Sequence, residues 1–143
     1  MSTLIAYFSA TGTTKARAEK KAQELGADTY EIKPTEAYTS ADLDWKNEES
    51  RSSVEMKGDI KPEIVTGDID ISAYDTIYIG YPVWWYRAPT IINSFLASYD
   101  FAGKKIVLFA TSGGTKDFGE TIAKIQPDAP EAMFEESEIY NSY

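Results

Sequence analysis

Residues 4–14 combine an apolar strand, a hydroxyl-rich turn and the start of a helix. The first backbone N–H groups of a helix lack partners within the helix, and the aligned peptide dipoles add about half a positive charge there. Gly12 has no Cβ, so a ligand can approach the backbone closely. The turn also carries four hydroxyl side chains, those of Ser9, Thr11, Thr13 and Thr14. This junction predicts a site for one small phosphate monoester that needs no cationic side chain.

Two common nucleotide-binding patterns are missing from the sequence. There is no G-x-x-x-x-G-K-[ST], which argues against a nucleoside triphosphate site, and no G-x-G-x-x-G, which argues against a dinucleotide site. Helix capping by serine and threonine is the alternative explanation for the same hydroxyl groups.

Length and composition predict one globular domain over residues 1–143. The chain is long enough to bury a substantial core, and its 43% hydrophobic and 26% charged residues are ordinary for such a domain. The apolar run Leu4–Phe8 is too short to span a bilayer, and no basic segment precedes it. We therefore expect a cytoplasmic protein that does not bind membranes.

The sequence contains neither cysteine nor histidine. Their absence excludes disulfides, thiolate nucleophiles, histidine-dependent triads and metal sites built from these ligands. It also removes the side chain that most often transfers protons near neutral pH. The residues thus favour chemistry supplied by a cofactor, and we predict neither a catalytic side chain nor a metal.

The formal net charge of −9 disfavours nucleic acid and anionic membranes as partners. It suits docking to a protein with a basic surface, although solubility alone is an equally good explanation. The exception to this charge is a group of cations, which we interpret as the solvated face of the first helix: Lys15, Arg17, Lys20 and Lys21.

Predicted strands and helices alternate along the chain. The strands are predicted at residues 4–8, 29–33, 76–80, 105–110 and 132–140. The helices are predicted at residues 13–25 (ended by Gly26), from Pro89 onward, and from Asp117 to Pro127 with Glu120 completing a capping box. This alternation predicts a doubly wound α/β fold with a parallel five-stranded sheet, in which residues 105–110 form the central strand.

Two regions fit this pattern less well. Residues 35–75 are longer than one crossover needs, and the spacing of Asp42/Lys46 and Arg51/Glu55 predicts a charged surface helix near residues 41–57. Trp45 is predicted to anchor that helix on the core. No amphipathic helix is predicted after the last strand, so we expect either an abbreviated C-terminus or a partner subunit that covers this part of the sheet.

Three strand ends are distinctive, and ligands of open parallel sheets bind beyond such ends. The first is the hydroxyl-rich turn, the second is an aromatic turn at residues 80–87, and the third is the polar segment 111–115. Trp84 and Trp85 in the second turn are suited to stacking on a planar ligand, with core packing as the alternative for either. Gly80 and Gly114 are candidate bends near that ligand, and Arg87 is either a ligand or partner contact or a plain surface cation.

These three segments, Ser-Ala-Thr-Gly-Thr-Thr, Gly-Tyr-Pro-Val-Trp-Trp and Thr-Ser-Gly-Gly, resemble the FMN-binding loops of the flavodoxin family in order and spacing. The similarity is greatest to short flavodoxin-like proteins with paired tryptophans in the second loop. The resemblance implies FMN as cofactor and a flavodoxin-like fold. It implies an FMN phosphate held by Ser9, Ala10, Thr11, Gly12, Thr13 and Thr14. It implies a flavin ring flanked by Pro82, Val83, Trp84, Trp85 and Tyr86, with backbone contacts from Thr111, Ser112, Gly113 and Gly114.

The resemblance implies an electron carrier that shuttles low-potential electrons between redox partner proteins, and we expect those partners to have basic docking surfaces. One alternative is an FMN-dependent reductase that uses NAD(P)H to reduce quinones or nitro compounds. Another is a module of the same fold that has lost the flavin. For the carrier we expect a monomer or a weak homodimer.

Overall fold

The computed structural model describes residues 2–10, 12–85, 87–112, 118–119 and 121–141. Within these ranges the strands are β1 Thr3–Tyr7, β2 Asp28–Glu31, β3 Thr76–Pro82, β4 Lys105–Ser112 and β5 Met133–Asn141. The α-helices are α1 Thr13–Leu25, α2 Arg51–Gly58, α3 Thr90–Ser98 and α4 Thr121–Ile125, with short 3₁₀ helices at Ile71–Ala73 and Gln126–Asp128. No helix in these ranges has both the length and the apolar character needed to cross a membrane.

The strands form one parallel sheet in the order β2-β1-β3-β4-β5. This is the order of a doubly wound, flavodoxin-like sheet, and the predicted fold class is confirmed. The middle strand is β3, so the prediction that residues 105–110 form the central strand is wrong by one position. The hydrophobicity of β4 shows that both of its faces are covered. Every interior strand of the sheet shares this property, so it does not identify the central one.

Alternate residues of the strands supply two separate cores. Leu4 and Ala6 of β1 face a larger cluster that contains the apolar side of α3, whereas Ile5 and Tyr7 face a smaller cluster with Ala18 of α1. Because β1 is covered on both faces, its sequence is apolar from Leu4 to Tyr7 without alternation. Helices therefore lie on both sides of the sheet, as a doubly wound fold requires.

The helix ends agree closely with the sequence. Helix α1 ends at Gly26, which has a φ of 63° and donates its N–H to the carbonyl of Ala22, as expected of a glycine in the left-handed region. Helix α3 begins at Thr90, so Pro89 is the N-cap and not the first helical residue. The predicted capping box of Asp117 and Glu120 lies outside the described residues.

The predicted helix at residues 41–57 is wrong over its first part. Residues 40–50 form turns, and α2 covers only Arg51–Gly58. Asp42 accepts the N–H of Thr39 at 2.9 Å, whereas the Arg51–Glu55 ion pair forms at 3.0 Å as predicted. Asp, Asn and Ser side chains bond nearby backbone groups in this segment, and such bonds compete with a helix.

The prediction for Trp45 is also wrong. Its side chain is 67% exposed, and it has Lys46 Nζ at 5.4 Å from the ring centroid. The prediction placed Trp45 on a surface helix that was inferred from charge spacing alone. Because this segment forms turns, no helix brings the Trp45 ring to the core.

β5 is the last element of the described chain. On the side of the sheet that carries α1, Lys21 Nζ lies 5.5–5.7 Å from the ring centroids of Tyr78, Phe109 and Tyr140. Arg17 Cζ lies 4.5 Å from the ring of Tyr140. These two cations of α1 therefore cover aromatic rings of the sheet, in contrast to the purely solvated helix face predicted for them.

Candidate functional site

Three segments lie at the C-terminal ends of β1, β3 and β4, and we call them the first loop (residues 9–14), the second loop (82–87) and the third loop (111–114). The first loop runs into α1, and the described residues of the third loop are the last two of β4. Thr11, Tyr86, Gly113 and Gly114 were predicted as site residues and lie outside the described residues. The remaining predicted residues of the three loops have defined positions.

The first loop forms an open helix start. Gly12 is the N-cap of α1 with a φ of 93°, and its N–H donates to Ser9 Oγ at 3.0 Å. A hydroxyl oxygen that accepts this bond keeps a hydrogen to donate elsewhere. A Cβ built on Gly12 would meet nothing within 4 Å, and the first turn of α1 carries no acidic residue. The loop therefore combines space with a positive helix end, which suits an anion.

Thr111 connects the third loop to both others. Its hydroxyl lies 2.7 Å from that of Thr14, and its carbonyl accepts the N–H of Val83 at 3.0 Å. Thr14 and Thr111 are both buried. The described parts of the three predicted loops thus meet at one edge of the sheet, as the sequence predicted.

Trp84 is packed between two other rings. Its ring centroid lies 5.6 Å from that of Phe8, which precedes the first loop, and 5.5 Å from that of Tyr38, both in edge-to-face geometry. Phe8 and Tyr38 also meet edge to face at 5.6 Å. Such contacts fix a ring from several sides, so Trp84 joins the core, which was the alternative left open for it.

Trp85 differs sharply from its neighbour. It has a φ of 50° and is 40% exposed. The flanking residues close a tight turn, because the N–H of Trp84 donates to the carbonyl of Arg87 at 3.0 Å and the N–H of Arg87 donates to that of Trp84 at 3.2 Å. This turn holds the Trp85 side chain at the surface of the second loop, where it is accessible to a ligand.

Tyr38 is part of the site region, and no motif in the sequence identified it as such. Its hydroxyl donates to the buried Glu55, Arg51 donates to the other carboxylate oxygen of Glu55 at 3.0 Å, and Arg51 Cζ lies 4.0 Å from the Tyr38 ring centroid. Burial first, and the bond to Glu55 second, raise the pKa of Tyr38. The spacing of Arg51 and Glu55 was the only trace of this network in the sequence.

Arg87 is buried, so the interpretation as a surface cation is wrong. Its NH1 donates to Asp59 Oδ1 at 2.6 Å, and its Nε donates to the carbonyl of Ala88 at 3.4 Å. The hydrogen bond from Arg87 lowers the pKa of Asp59. Lys124 Nζ lies 3.9 Å from the second carboxylate oxygen of Asp59. Arg87 therefore connects the second loop to the end of α2.

Gly80 has a packing role and is not a bend. It lies within β3, paired with Tyr7 and Phe109, and a Cβ at this position would lie 2.2 Å from Phe109 Cζ. The prediction that the backbone bends here near a ligand is wrong. The missing side chain makes room for the Phe109 ring on the face of the sheet that α1 covers.

The first residue of α4 forms hydrogen bonds with the residues on either side of the second loop. Thr121 Oγ1 accepts the hydroxyl of Tyr81 at 3.2 Å and the N–H of Ala88 at 3.1 Å. Burial raises the pKa of Tyr81, so this hydroxyl keeps its proton and remains a donor. Together the contacts place an open helix start and one exposed indole at the same end of the sheet.

Comparison with known proteins agrees with this architecture. A family model described as flavodoxin matches residues 2–143. A crystal structure of a candidate flavoprotein from Bacteroides eggerthii is 45% identical with a TM-score of 0.91, covering 99% of this chain and 89% of that one. A second candidate flavoprotein, from Bacteroides uniformis, is 44% identical with a TM-score of 0.89, covering 96% and 88%.

A third similar structure contains a ligand. The flavoprotein from Lactobacillus acidophilus, crystallised in complex with FMN, is 28% identical with a TM-score of 0.74, and the match covers 96% of this chain and 92% of that one. The comparison with curated proteins found no match.

Proposed function

The chain belongs to the flavodoxin family, and from that premise we propose that it binds FMN and carries electrons between larger redox proteins. The observation that carries the proposal is the meeting of the first, second and third loops through Thr111, Thr14 and Val83. The FMN complex of the Lactobacillus acidophilus relative supports the same cofactor.

The described residues fit the two ends of FMN. At the phosphate end, the space beside Gly12 and the N-terminus of α1 suit a monoester dianion, with Ser9, Ala10, Thr13 and Thr14 around it. Of the two tryptophans in the second loop, Trp85 is the one exposed for stacking on the flavin ring. Trp84 supports the loop by packing against Phe8. The other described residues of the proposed ring site are Pro82, Val83, Thr111 and Ser112.

The protein and the cofactor divide the chemistry between them. Bound FMN supplies one- and two-electron transfer. The chain's own residues bind the phosphate, orient the ring and exclude water from one of its faces. With no histidine or cysteine in the sequence, proton transfer by those side chains has no place in the proposal.

The charge of the chain supports a partner class. A formal net charge of −9 favours encounter with redox proteins whose docking surfaces are basic. The same charge disfavours nucleic acid and anionic membranes. We expect a cytoplasmic monomer or weak homodimer.

The test is an FMN titration followed by anaerobic photoreduction. We expect quenching of FMN fluorescence with micromolar or tighter affinity, rapid photoreduction, and negligible NAD(P)H oxidation without a separate reductase. Electron delivery to a basic haem protein should slow as salt is added, because screening weakens the attraction. Fast NAD(P)H-dependent reduction of quinones would instead support the reductase, and a protein that ignores FMN would overturn the proposal.

A further inference from the structure

Two non-glycine residues in the described chain have a positive φ, and they are Asp59 and Trp85, both at 50°. The left-handed region is unfavourable for residues with a side chain, and a bulky indole is an unusual occupant. Such conformations persist only where surrounding contacts fix them. Trp85 is also the exposed tryptophan of the second loop, so the contacts that fix its turn determine where its ring lies.

One ion pair joins these two turns. Arg87 ends the turn that contains Trp85, and its guanidinium is 2.6 Å from the carboxylate of Asp59. The Arg87 side chain is 7% exposed, so it has little access to water as an alternative partner. A charge-assisted bond from a buried guanidinium is stronger than a surface ion pair.

Asp59 is itself firmly anchored. Its N–H donates to the carbonyl of Glu55 at the end of α2. The residues that follow are tied to the next helices, because the carbonyl of Pro62 accepts the Ser94 hydroxyl at 2.6 Å and Lys61 forms an ion pair with Asp128. Asp59 is therefore a fixed point against which Arg87 can be held.

The opposite side of the turn is fixed by different contacts. Trp84 packs against Phe8 and Tyr38, and it closes the turn through two backbone hydrogen bonds with Arg87. We propose that Arg87 and Asp59 are positioning residues for the ligand ring: their ion pair holds the second loop so that Trp85 remains turned outward. This inference rests on the proposed function, because the ring to be stacked is that of FMN.

The test variant is Asp59→Asn. Asparagine tolerates the left-handed region as aspartate does, so the substitution removes the charge and leaves the turn at residue 59 intact. The Asp59 side chain is 57% exposed, which makes loss of the fold an improbable result of this change. The matched control is Glu135→Gln, which removes a carboxylate from the Lys105–Glu135 pair at the far edge of the sheet, formed at 3.0 Å.

The first readout is the affinity for FMN and for riboflavin. We expect Asp59→Asn to weaken both by the same factor of about fivefold to tenfold, since the ring site changes and the phosphate site does not. Glu135→Gln should leave both affinities at their original values. An Asp59→Asn protein with unchanged riboflavin affinity overturns the inference, whether or not its FMN affinity falls.

The second readout needs no flavin. In a Trp45→Phe background, the remaining tryptophans are Trp84 and Trp85, and acrylamide quenching of the ligand-free protein reports how exposed they are. Asp59→Asn should change the quenching, and Glu135→Gln should not. If the unaltered protein binds neither FMN nor riboflavin, the proposed function fails. Equal quenching in the Asp59→Asn and unaltered proteins means that the ion pair does not position the turn.

Discussion

The hydroxyl groups of Thr14 and Thr111 lie 2.7 Å apart, although 97 residues separate them in the chain. Thr14 stands in the first turn of α1, and Thr111 lies near the end of β4. Both residues are almost completely buried. If one hydroxyl is removed, water does not readily take its place, and the unpaired hydroxyl lowers the stability of the protein. This contact joins the first and third loops from inside the protein.

We expect Thr111→Val to lower the free energy of unfolding by about 1–3 kcal/mol, because it leaves the buried Thr14 hydroxyl without this partner. The double variant Thr14→Val/Thr111→Val removes both polar groups and should be less destabilised than the sum of the two single variants. Urea unfolding of the four ligand-free proteins measures the difference. Strictly additive effects would contradict the contact.

Trp84 and Trp85 should respond to alanine in opposite ways. Trp84→Ala removes a ring packed on Phe8 and Tyr38 and should cost about 2–3 kcal/mol in unfolding free energy. Trp85→Ala should change that free energy by less than about 0.5 kcal/mol but weaken FMN binding by about 1–3 kcal/mol. Urea unfolding and FMN titration separate the two results. A destabilising Trp85→Ala with normal FMN affinity would reverse our assignment.

Gly12 and Gly26 cap the two ends of α1 with positive φ values of 93° and 63°, and they form a matched pair. Alanine at either position is strained by about 1–2 kcal/mol. We expect only Gly12→Ala to weaken FMN binding more than riboflavin binding, by about tenfold, because only its end of the helix lies at the proposed phosphate site. Titrations of both ligands decide this. Equal losses for FMN and riboflavin would remove Gly12 from the phosphate site.

Gly80→Ala should destabilise the protein by about 3 kcal/mol or more. The added Cβ would lie 2.2 Å from Phe109 Cζ, and the ring is fully buried with nowhere to move. Shortening the neighbour in Gly80→Ala/Phe109→Leu should recover part of the loss. Thermal and urea unfolding test both variants. A Gly80→Ala protein as stable as the original would refute this packing role.

Much of the fold could be predicted from the sequence because local patterns determine it. Apolar runs such as Leu4–Phe8 identify strands that are buried on both faces, and glycine at residue 26 marks the end of α1. The alternation of such elements restricts the sheet to a parallel, doubly wound arrangement. Since the C-terminal ends of parallel strands lie at one end of the sheet, the meeting of the three loops could be predicted as well.

The errors arise where contacts between distant residues decide the outcome. The partner of Arg87 is Asp59, 28 residues earlier, and no periodic pattern links the two. Gly80 is explained by Phe109 on the adjacent strand, a neighbour that strand order alone reveals. Trp45 was misassigned because its segment forms turns through local side-chain bonds, which charge spacing does not report.

Stability should fall as the pH rises above 10. Burial first, and the bond to Glu55 second, raise the pKa of Tyr38 above its ordinary value of 10.0, and burial raises that of Tyr81. A raised pKa in the folded state stabilises the protein below the unfolded pKa, and this contribution is lost as the pH rises toward the folded pKa. Tyr38→Phe should therefore reduce the slope of the unfolding free energy against pH by up to about 1.4 kcal/mol per pH unit. Urea unfolding from pH 8 to 11 measures it, and identical slopes would be contrary to this expectation.

Lys21 and Arg17 on α1 give the helix that starts at the first loop a second structural role. Their cations lie over rings that include Tyr140 on β5, more than a hundred residues later in the chain. The packing of the edge strand β5 is therefore completed by side chains of α1. A change that loosens α1 should therefore affect two places at once, the proposed phosphate site at its N-terminus and the packing of β5 at the edge of the sheet.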